Sequence, residues 1–274
     1  MNNIRVTYSG LIALMVSLIG VVTGLIFVIL ITRTLTPAEF GLWTLLGSVV
    51  SYVLVIDPIV TYWSTRQVAR GENIGKSSVS VAGLFSMIGL LVYFLIGSYL
   101  SDSLESNFMI FAVASLLIPV MFLNSNLSAL CLGKKPQAIS YGLIVFETTK
   151  IPLAFLFVIG FELGIIGVLA AIVGANLFKF IILFIFAREQ LRGSIQRSML
   201  KFWFRLSWLT LFQSSSGLIY KLDVLIFSLL TNSLIGLAYW GVSQTASSLI
   251  THSQTMSQGL YPKLLSGGKK EIFE

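Results

Sequence analysis

The sequence predicts an all-α, polytopic integral membrane protein with about eight transmembrane helices, and three observations lead to this prediction. Hydrophobic residues make up 56% of the chain, charged residues make up 11%, and the mean hydropathy is +0.91. A soluble domain of ordinary composition carries about 25% charged residues. Residues 6–32, 77–101 and 106–133 contain no charged side chain, and each run exceeds the roughly 20 residues that a helix needs to cross a bilayer.

The third observation is an internal repeat. Residues 30–67 return in altered form as residues 225–262, and each copy reads as an apolar helix, a short polar corner ending in Gly-Leu, and a second apolar helix. The matching positions are Leu30, Ile31, Leu35, Thr36, Gly41, Leu42, Ser48 and Leu54, which correspond to Leu225, Ile226, Leu230, Thr231, Gly236, Leu237, Ser243 and Leu249. Internal similarity in an apolar chain is typical of a transporter built from repeats.

The repeat predicts one complete six-helix lobe followed by the first two helices of a second lobe. An even number of helices separates the copies, so both enter the membrane in the same direction and the repeats are parallel. We expect the first lobe in residues 1–190, a basic cytoplasmic linker with amphipathic character in 191–204, and the incomplete second lobe in 205–274. The second copy stops after two helices, which indicates either a C-terminally truncated transporter or missing helices supplied from elsewhere.

The predicted spans are residues 8–32, 40–65, 77–101, 106–132, 137–160, 163–187, 205–230 and 234–260. Between the first two spans, Thr36 is suited to cap the next helix, Pro37 to its first turn, and Glu39 to its positive end. Within the second span, Asp57 precedes Pro58, whose missing N–H predicts a kink. The third and fourth spans are almost free of charge, and we expect them to serve packing.

The later spans carry ionisable and polar side chains at membrane depth. Glu147 and Lys150 lie three residues apart on one face of the fifth span. In the seventh span, Lys221 and Asp223 are two residues apart and point to opposite sides, so at least one faces a cavity or a neighbouring helix. The eighth span holds too many Ser, Thr and Gln residues to face lipid, and we expect it to line water or to be covered by protein.

Basic residues lie in alternate loops between the predicted spans. They are Arg66, Arg70 and Lys76; Lys134 and Lys135; Arg188, Arg192, Arg197, Lys201 and Arg205; and Lys263, Lys269 and Lys270. This pattern predicts a multi-pass protein of the cell (plasma) membrane with a cytoplasmic N-terminus. The net charge of +7 therefore indicates membrane lipid as a partner and argues against nucleic acid. The single cysteine, Cys131, excludes an intrachain disulfide.

Two corners of the sequence carry a resemblance to a known family. The segment Leu35-Thr-Pro-Ala-Glu-Phe-Gly-Leu42 resembles a corner of the polysaccharide flippases in the multidrug, oligosaccharidyl-lipid and polysaccharide exporter superfamily. Tyr220-Lys-Leu-Asp-Val-Leu-Ile226 is similar to the equivalent site in the second lobe, where that family often has an aspartate at the position of Asp223. The chain departs from the family in its shorter length and in Asn232-Ser233, where a Gly-Pro or Gly-Ala pair is usual.

The resemblance implies an alternating-access carrier that flips a polyprenyl-(di)phosphate-linked oligosaccharide from the cytoplasmic to the outer leaflet for surface polysaccharide biosynthesis. Such a carrier needs cations for the phosphate and a polar route for the glycan, and protons are one means of driving it. The substrate-binding candidates are Lys150, Lys221, Arg66, Asn176 and Gln244. The proton- or ion-coupling candidates are Asp57, Glu147, Asp223 and His252, and the repeat places His252 opposite Asp57 across the cavity.

Several of these residues also have a purely structural interpretation: Asp57 is consistent with a carboxylate that bonds the helix end opened by Pro58, and His252 with a polar helix-packing residue. Glu147 and Lys150 are equally consistent with an ion pair that only stabilises the helices. Lys179 is expected to extend to the cytoplasmic head groups. Among the aromatic residues, Trp43, Tyr62 and Trp63 are interpreted as interface belts rather than as sugar-binding platforms.

Other functions are less consistent with the sequence. It contains no P-loop, no metal-ligand spacing and no nucleophile elbow, so we expect neither an enzyme nor a cofactor nor a metal site. The alternatives are a cation-coupled multidrug or toxin antiporter of the same superfamily, or a truncated, non-transporting helper subunit. For the flippase, the expected partners are the lipid-linked oligosaccharide and, beyond it, membrane proteins of glycan assembly.

Overall fold

The computed structural model describes residues 6–195 and 197–251, and this part of the chain folds into helices joined by short connections. The α-helices of these ranges are α1 Val6–Thr34, α2 Pro37–Val53, α3 Pro58–Ala69, α4 Gly75–Ser103, α5 Phe108–Ser115, α6 Leu117–Lys134, α7 Gln137–Ala154, α8 Gly164–Ala187, α9 Arg197–Thr231 and α10 Leu234–Thr251. Two 3-10 turns, Leu54–Ile56 and Gln190–Arg192, and a π-helical segment, Phe155–Gly160, extend or link them. The all-α prediction is confirmed for the described residues.

Six helical segments within the described ranges are long and apolar enough to cross a membrane. They are Met15–Thr34, Pro37–Ile56, Gly75–Ser103, Phe108–Lys134, Gln137–Gly160 and Gly164–Ala187. Large apolar side chains cover their outer surface; Leu91 and Leu95 of α4, for example, are 67% and 73% exposed. An apolar outer surface suits lipid and not water, so the chain is a multi-pass membrane protein. Each of the first six predicted spans overlaps one of these segments, but the second, predicted as residues 40–65, is here Pro37–Ile56.

The corner between α1 and α2 is closed by a capping box. The Thr36 hydroxyl accepts a hydrogen bond from the Glu39 backbone N–H at 3.3 Å, and Glu39 Oε2 accepts one from the Thr36 N–H at 2.9 Å. Pro37 occupies the first turn, where its missing N–H has no intrahelical partner to lose. The sequence prediction for this corner is confirmed.

The predicted kink at Pro58 is present as a complete break in the helix. α2 ends at Val53, the chain makes the 3-10 turn Leu54–Ile56, and α3 starts at Pro58. Pro58 has no N–H for the carbonyl of Leu54, which instead accepts from the Asp57 N–H at 3.0 Å. Asp57 therefore lies at a gap in the backbone ladder, within the second predicted span.

Two findings concern the predicted linker and the eighth predicted span. α9 begins at Arg197, so residues 197–204 of the predicted linker are helix. Trp203, at the end of the linker that was predicted to be amphipathic, is buried: it is 1% exposed and donates from Nε1 to Gln67 Oε1 of α3 at 2.9 Å. The last part of the eighth predicted span, with His252, lies outside the described residues.

The helices of the second repeat pack on those of the first. α10 lies along α2, and α9 contacts both α2 and α3. A Cβ at Gly41 of α2 would lie 1.8 Å from the carbonyl oxygen of Leu234, and a Cβ at Gly241 of α10 would lie 2.2 Å from Thr44 Oγ1. Only glycine permits such close approach, so the N-terminal part of α2 meets α10 almost backbone to backbone.

Candidate functional site

A cavity of about 470 Å³ lies where α3, α6 and α7 of the first repeat meet α9 of the second. We name it the α3 cavity, and its lining is Pro58, Thr61, Tyr62, Thr65, Ser125, Ser128, Ala129, Leu132, Ile139 and Thr210. Its size falls within the roughly 300–1,000 Å³ typical of ligand pockets. Six of these ten side chains carry a hydroxyl group, so hydroxyls are the main polar groups of the lining.

The carboxylate of Asp57 lies at one end of the α3 cavity. It accepts a hydrogen bond from the hydroxyl of Ser125, which lines the cavity from α6. The backbone carbonyl of Asp57 accepts from Thr61 Oγ1 at 3.2 Å. The break between α2 and α3 is therefore tied to α6 through an ionisable group.

The hydroxyls of the α3 cavity direct their hydrogens toward protein acceptors. Thr65 Oγ1 donates to the carbonyl oxygens of Thr61 at 3.0 Å and Ala129 at 3.2 Å, while Ser125 donates to Asp57. A hydroxyl that donates in this way keeps oxygen lone pairs for accepting further hydrogen bonds. The cavity therefore suits a ligand that is rich in hydrogen-bond donors, such as a polyol.

Arg66 lies one turn beyond Tyr62 on α3. Its Nη1 donates to the Tyr62 hydroxyl at 2.6 Å, and its guanidinium carbon is 5.5 Å from the centre of the Tyr62 ring. Because Tyr62 lines the α3 cavity, this hydrogen bond holds a half-buried cation beside it. Guanidinium groups bind phosphate through several parallel hydrogen bonds.

A second cavity, of about 320 Å³, lies nearer the N-terminal end of α2. We name it the α2 cavity, and its lining is Val28, Phe40, Trp43, Thr44, Gly47, Ser48, Ser51, Val224, Gly241 and Gln244. Two predicted site residues meet at its edge, since Gln244 Nε2 of α10 donates to Asp223 Oδ2 of α9 at 3.4 Å. The cavity thus brings together both predicted helices of the second repeat.

Glu147 and Lys150 form an ion pair between their side chains, and both residues are 7% exposed. The carboxylate also accepts the hydroxyl of Thr23 from α1. The ammonium group lies 5.8 Å from the ring centre of Phe27 and 5.3 Å from that of Phe146. Lys150 lines neither the α2 cavity nor the α3 cavity, so its partners in the structure are protein groups.

Asn176 has a packing role. Its backbone oxygen and Oδ1 accept from Asn124 Nδ2 at 3.0 and 3.2 Å, and its own Nδ2 donates to the carbonyl of Ile172 at 2.9 Å. These bonds join α8 to α6, and Asn176 is not among the residues that line either cavity. Lys179, farther along α8, is half-buried. Its side chain packs against Gly142 of α7, where an added Cβ would lie 3.4 Å from Lys179 Cγ.

The predicted site residues fall into separate clusters. Asp57 and Arg66 border the α3 cavity, Asp223 and Gln244 border the α2 cavity, and Glu147 and Lys150 pair between α1 and α7. Lys221 belongs to α9, but its side chain lies outside the described part of the structure, as does the whole of His252. Within the described ranges, no group of three or more His, Cys, Asp or Glu side chains is placed to hold a metal ion.

Sequence reasoning missed the hydroxyl lining of both cavities. The lining hydroxyls of the first repeat's second span are Thr44, Ser48, Ser51, Thr61, Tyr62 and Thr65. Their three- and four-residue spacing on either side of the break was the available signal, because such spacing marks one face of a helix. Trp43, interpreted as part of an interface belt, also takes part in packing. Its ring lines the α2 cavity and packs 6.4 Å from the ring of Phe27.

In comparisons with family models, curated proteins and solved structures, the chain matched none.

Proposed function

We propose that the chain is a membrane transporter that flips a polyprenyl-(di)phosphate-linked oligosaccharide from the cytoplasmic to the outer leaflet. The observation that supports this most directly is the α3 cavity, a hydroxyl-lined space at the junction of the first repeat with α9. These hydroxyls donate hydrogen bonds within the protein, and their oxygen lone pairs remain open to a polar ligand. A glycan supplies many hydroxyl donors to the acceptor oxygens of Thr65 and Ser125.

The charged groups fit the two ends of such a substrate. Arg66, held by Tyr62, would take the diphosphate at the mouth of the α3 cavity. Asp57, at the other end, would accept hydroxyls of the sugar and exchange the proton that drives the cycle. In this proposal the lipid tail stays outside, in the surrounding bilayer.

The proposed topology follows from the basic loops. With the N-terminus in the cytoplasm, α3 ends on the cytoplasmic side and the mouth at Arg66 faces the compartment where the lipid-linked sugar is made. α9 and α10 serve as the seventh and eighth spans and begin a second, parallel lobe. At about 1.5 Å per residue, the 35 residues of α9 exceed the thickness of the hydrocarbon core.

A cation-coupled multidrug antiporter is the second candidate. The observation that favours it is the carboxylate of Asp57, which accepts a hydrogen bond directly from lining residue Ser125. An acidic cavity with apolar walls selects organic cations over diphosphates.

The two candidates are separated by reconstituting the full chain into liposomes. One preparation carries a fluorescent polyprenyl-diphosphate-linked oligosaccharide, and the rate at which its glycan becomes accessible to a membrane-impermeant glycosidase is measured. A second carries ethidium as the organic cation. Flipping of the glycolipid without ethidium transport supports the proposal, whereas ethidium transport without flipping replaces it with the antiporter.

The matched variants for this assay are Ser125→Ala combined with Thr61→Val, against Ser98→Ala. The first removes two hydroxyls from the α3 cavity, while Ser98 lies on the exposed face of α4 and bonds only to the carbonyl of Leu95. We expect flipping to fall in the double variant and to remain at the parent rate in Ser98→Ala. Equal rates in all three proteins would show that the α3 cavity is not the glycan site.

A further inference from the structure

We propose that the α2 cavity is a second carbohydrate-binding site, for the glycan of the same substrate. This inference rests on the proposed function, because it assigns a second station to the same substrate. It is carried by three features of the α2 cavity: the direction of its hydroxyls, its aromatic wall, and the barrier between it and the α3 cavity.

The hydroxyls of the α2 cavity are arranged like those of the α3 cavity. Ser48 Oγ donates to the carbonyl of Thr44 at 3.1 Å, and Ser51 Oγ donates to the carbonyl of Gly47 at 2.8 Å. Both oxygens therefore keep lone pairs for accepting bonds, as does the carboxylate of Asp223 at the edge of the cavity. The α2 cavity, like the α3 cavity, selects a ligand that donates many hydrogen bonds.

The α2 cavity also has an aromatic wall, which the α3 cavity has only in Tyr62. The Trp43 ring lines it and is braced at 6.4 Å by the ring of Phe27, which is itself 5.8 Å from the ammonium of Lys150. A rigid indole beside several hydrogen-bond acceptors matches a sugar ring, which has an apolar face of C–H groups and an edge of hydroxyls.

The two cavities lie on either side of the 3-10 turn Leu54–Ile56 of the second span. The lining residues of α2 end at Ser51 and those of α3 begin at Pro58, and the 3-10 turn Leu54–Ile56 between them packs against α9. Val224 and Gln244 complete the α2 cavity, whereas Thr210 completes the α3 cavity. The second repeat thus contributes different residues to each cavity. The turn Leu54–Ile56 separates the polar lining residues of α2 from those of α3, which gives two separate sites.

The test is photo-crosslinking of the full chain in a bacterial host whose polyprenyl-diphosphate-linked oligosaccharides have known masses. The photoreactive residue p-benzoylphenylalanine replaces Ser48 in the α2 cavity, Ser128 in the α3 cavity, or Leu91 on the lipid-facing surface of α4. Mass spectrometry identifies what is attached at each position. We expect the glycolipid adduct at positions 48 and 128, and ordinary phospholipid at position 91.

The outcomes separate this inference from the proposed function. A glycolipid adduct at position 128 with only phospholipid or nothing at position 48 overturns the second site and leaves the proposed function standing. Absence of the glycolipid from both positions overturns both. Adducts at both positions support the second site, provided that the same adducts are missing at position 91.

A second measurement addresses the aromatic wall. Trp43→Ala is expected to reduce the glycolipid adduct at position 48 by about tenfold, which corresponds to the loss of one good aromatic contact. Trp43→Phe, which keeps a ring, should retain most of it, and the adduct at position 128 should be unchanged in both variants. An adduct at position 48 that Trp43→Ala leaves intact would overturn the assignment of Trp43 as the sugar-facing wall.

Discussion

Glu147 and Lys150 form a buried ion pair on α7, and the carboxylate oxygen that contacts Lys150 is the same one that accepts the hydroxyl of Thr23 from α1. One oxygen therefore joins two helices and neutralises a cation in the apolar interior. α1 packs chiefly on α7, so this contact is a principal polar link between α1 and the rest of the described structure.

The first prediction concerns that ion pair. Lys150→Met leaves the Glu147 carboxylate buried without its partner, which costs about 3–5 kcal/mol, and the thermal midpoint in detergent should fall sharply. Adding Glu147→Gln removes the uncompensated charge, so the double variant should recover most of the loss. A double variant as unstable as Lys150→Met alone would contradict a pairing role.

The second prediction concerns Asp57. Asp57→Asn keeps an oxygen that accepts the Ser125 hydroxyl but removes the ionisable group, so the protein should fold and flip glycolipid without any acceleration by a proton gradient. The measurement compares flipping with and without an imposed gradient, and Asp102→Asn at the exposed end of α4 is the control. Gradient dependence that survives in Asp57→Asn would exclude Asp57 as the coupling group.

The third prediction concerns the contact between α2 and α10. Gly41→Ala places a methyl group 1.8 Å from the carbonyl oxygen of Leu234, so α10 must shift, at a cost of about 1–3 kcal/mol in the free energy of unfolding. Gly83→Ala on α4, where a Cβ meets no atom within 4 Å, should have an unchanged or slightly higher thermal midpoint. Equal midpoints for the two variants would show that the helices do not approach this closely.

The fourth prediction concerns topology. In a Cys131→Ala background, Asn73→Cys should react with a membrane-impermeant maleimide only after the cells are opened, and Ser103→Cys should react in intact cells. Both positions are exposed and lie at opposite ends of α4. The reverse pattern would invert the proposed orientation and place Arg66 on the outer side.

The fifth prediction concerns the surface ion pair between Lys134 and Glu189, whose charged atoms are 3.2 Å apart. The hydrogen bond from Lys134, together with nearby Lys135, lowers the pKa of Glu189 below its usual 4.5. A lowered pKa means that the pair adds stability above pH 4.5 and loses this contribution as the pH falls through the lower value. Glu189→Gln should therefore lower the thermal midpoint slightly at pH 7 and leave it unchanged at strongly acidic pH, and 1 M salt should reduce the difference.

The sequence predicted the helices and their interruptions because these depend on local properties. Long apolar runs predict the six spans, Thr36 and Glu39 predict the capping box, and Pro58 predicts the interruption. Each of these features follows from hydropathy over about 20 residues or from the backbone chemistry of a few neighbours.

The cavities were not predicted, because they depend on which helix faces cover one another. Thr61 and Thr210 are far apart in sequence and meet only because α9 lies against α3. Trp43 was assigned to the lipid interface. Its packing against Phe27 was not predicted, because nothing in its neighbours along the chain indicates that contact. The positions of Glu147 and Asp57 within predicted spans indicated that both have polar neighbours, but these positions did not identify the neighbours.

The backbone contact between Gly41 and Leu234 has a mechanical consequence. A helix that rests on its neighbour without an intervening side chain can tilt there without forcing side chains to change rotamer. Across a hydrocarbon core of roughly 30 Å, a tilt of about 10° at one end displaces the other end by about 5 Å. The contact would therefore act as the point about which α10 rotates. Small rotations of α10 would produce larger displacements at the membrane face farthest from Gly41.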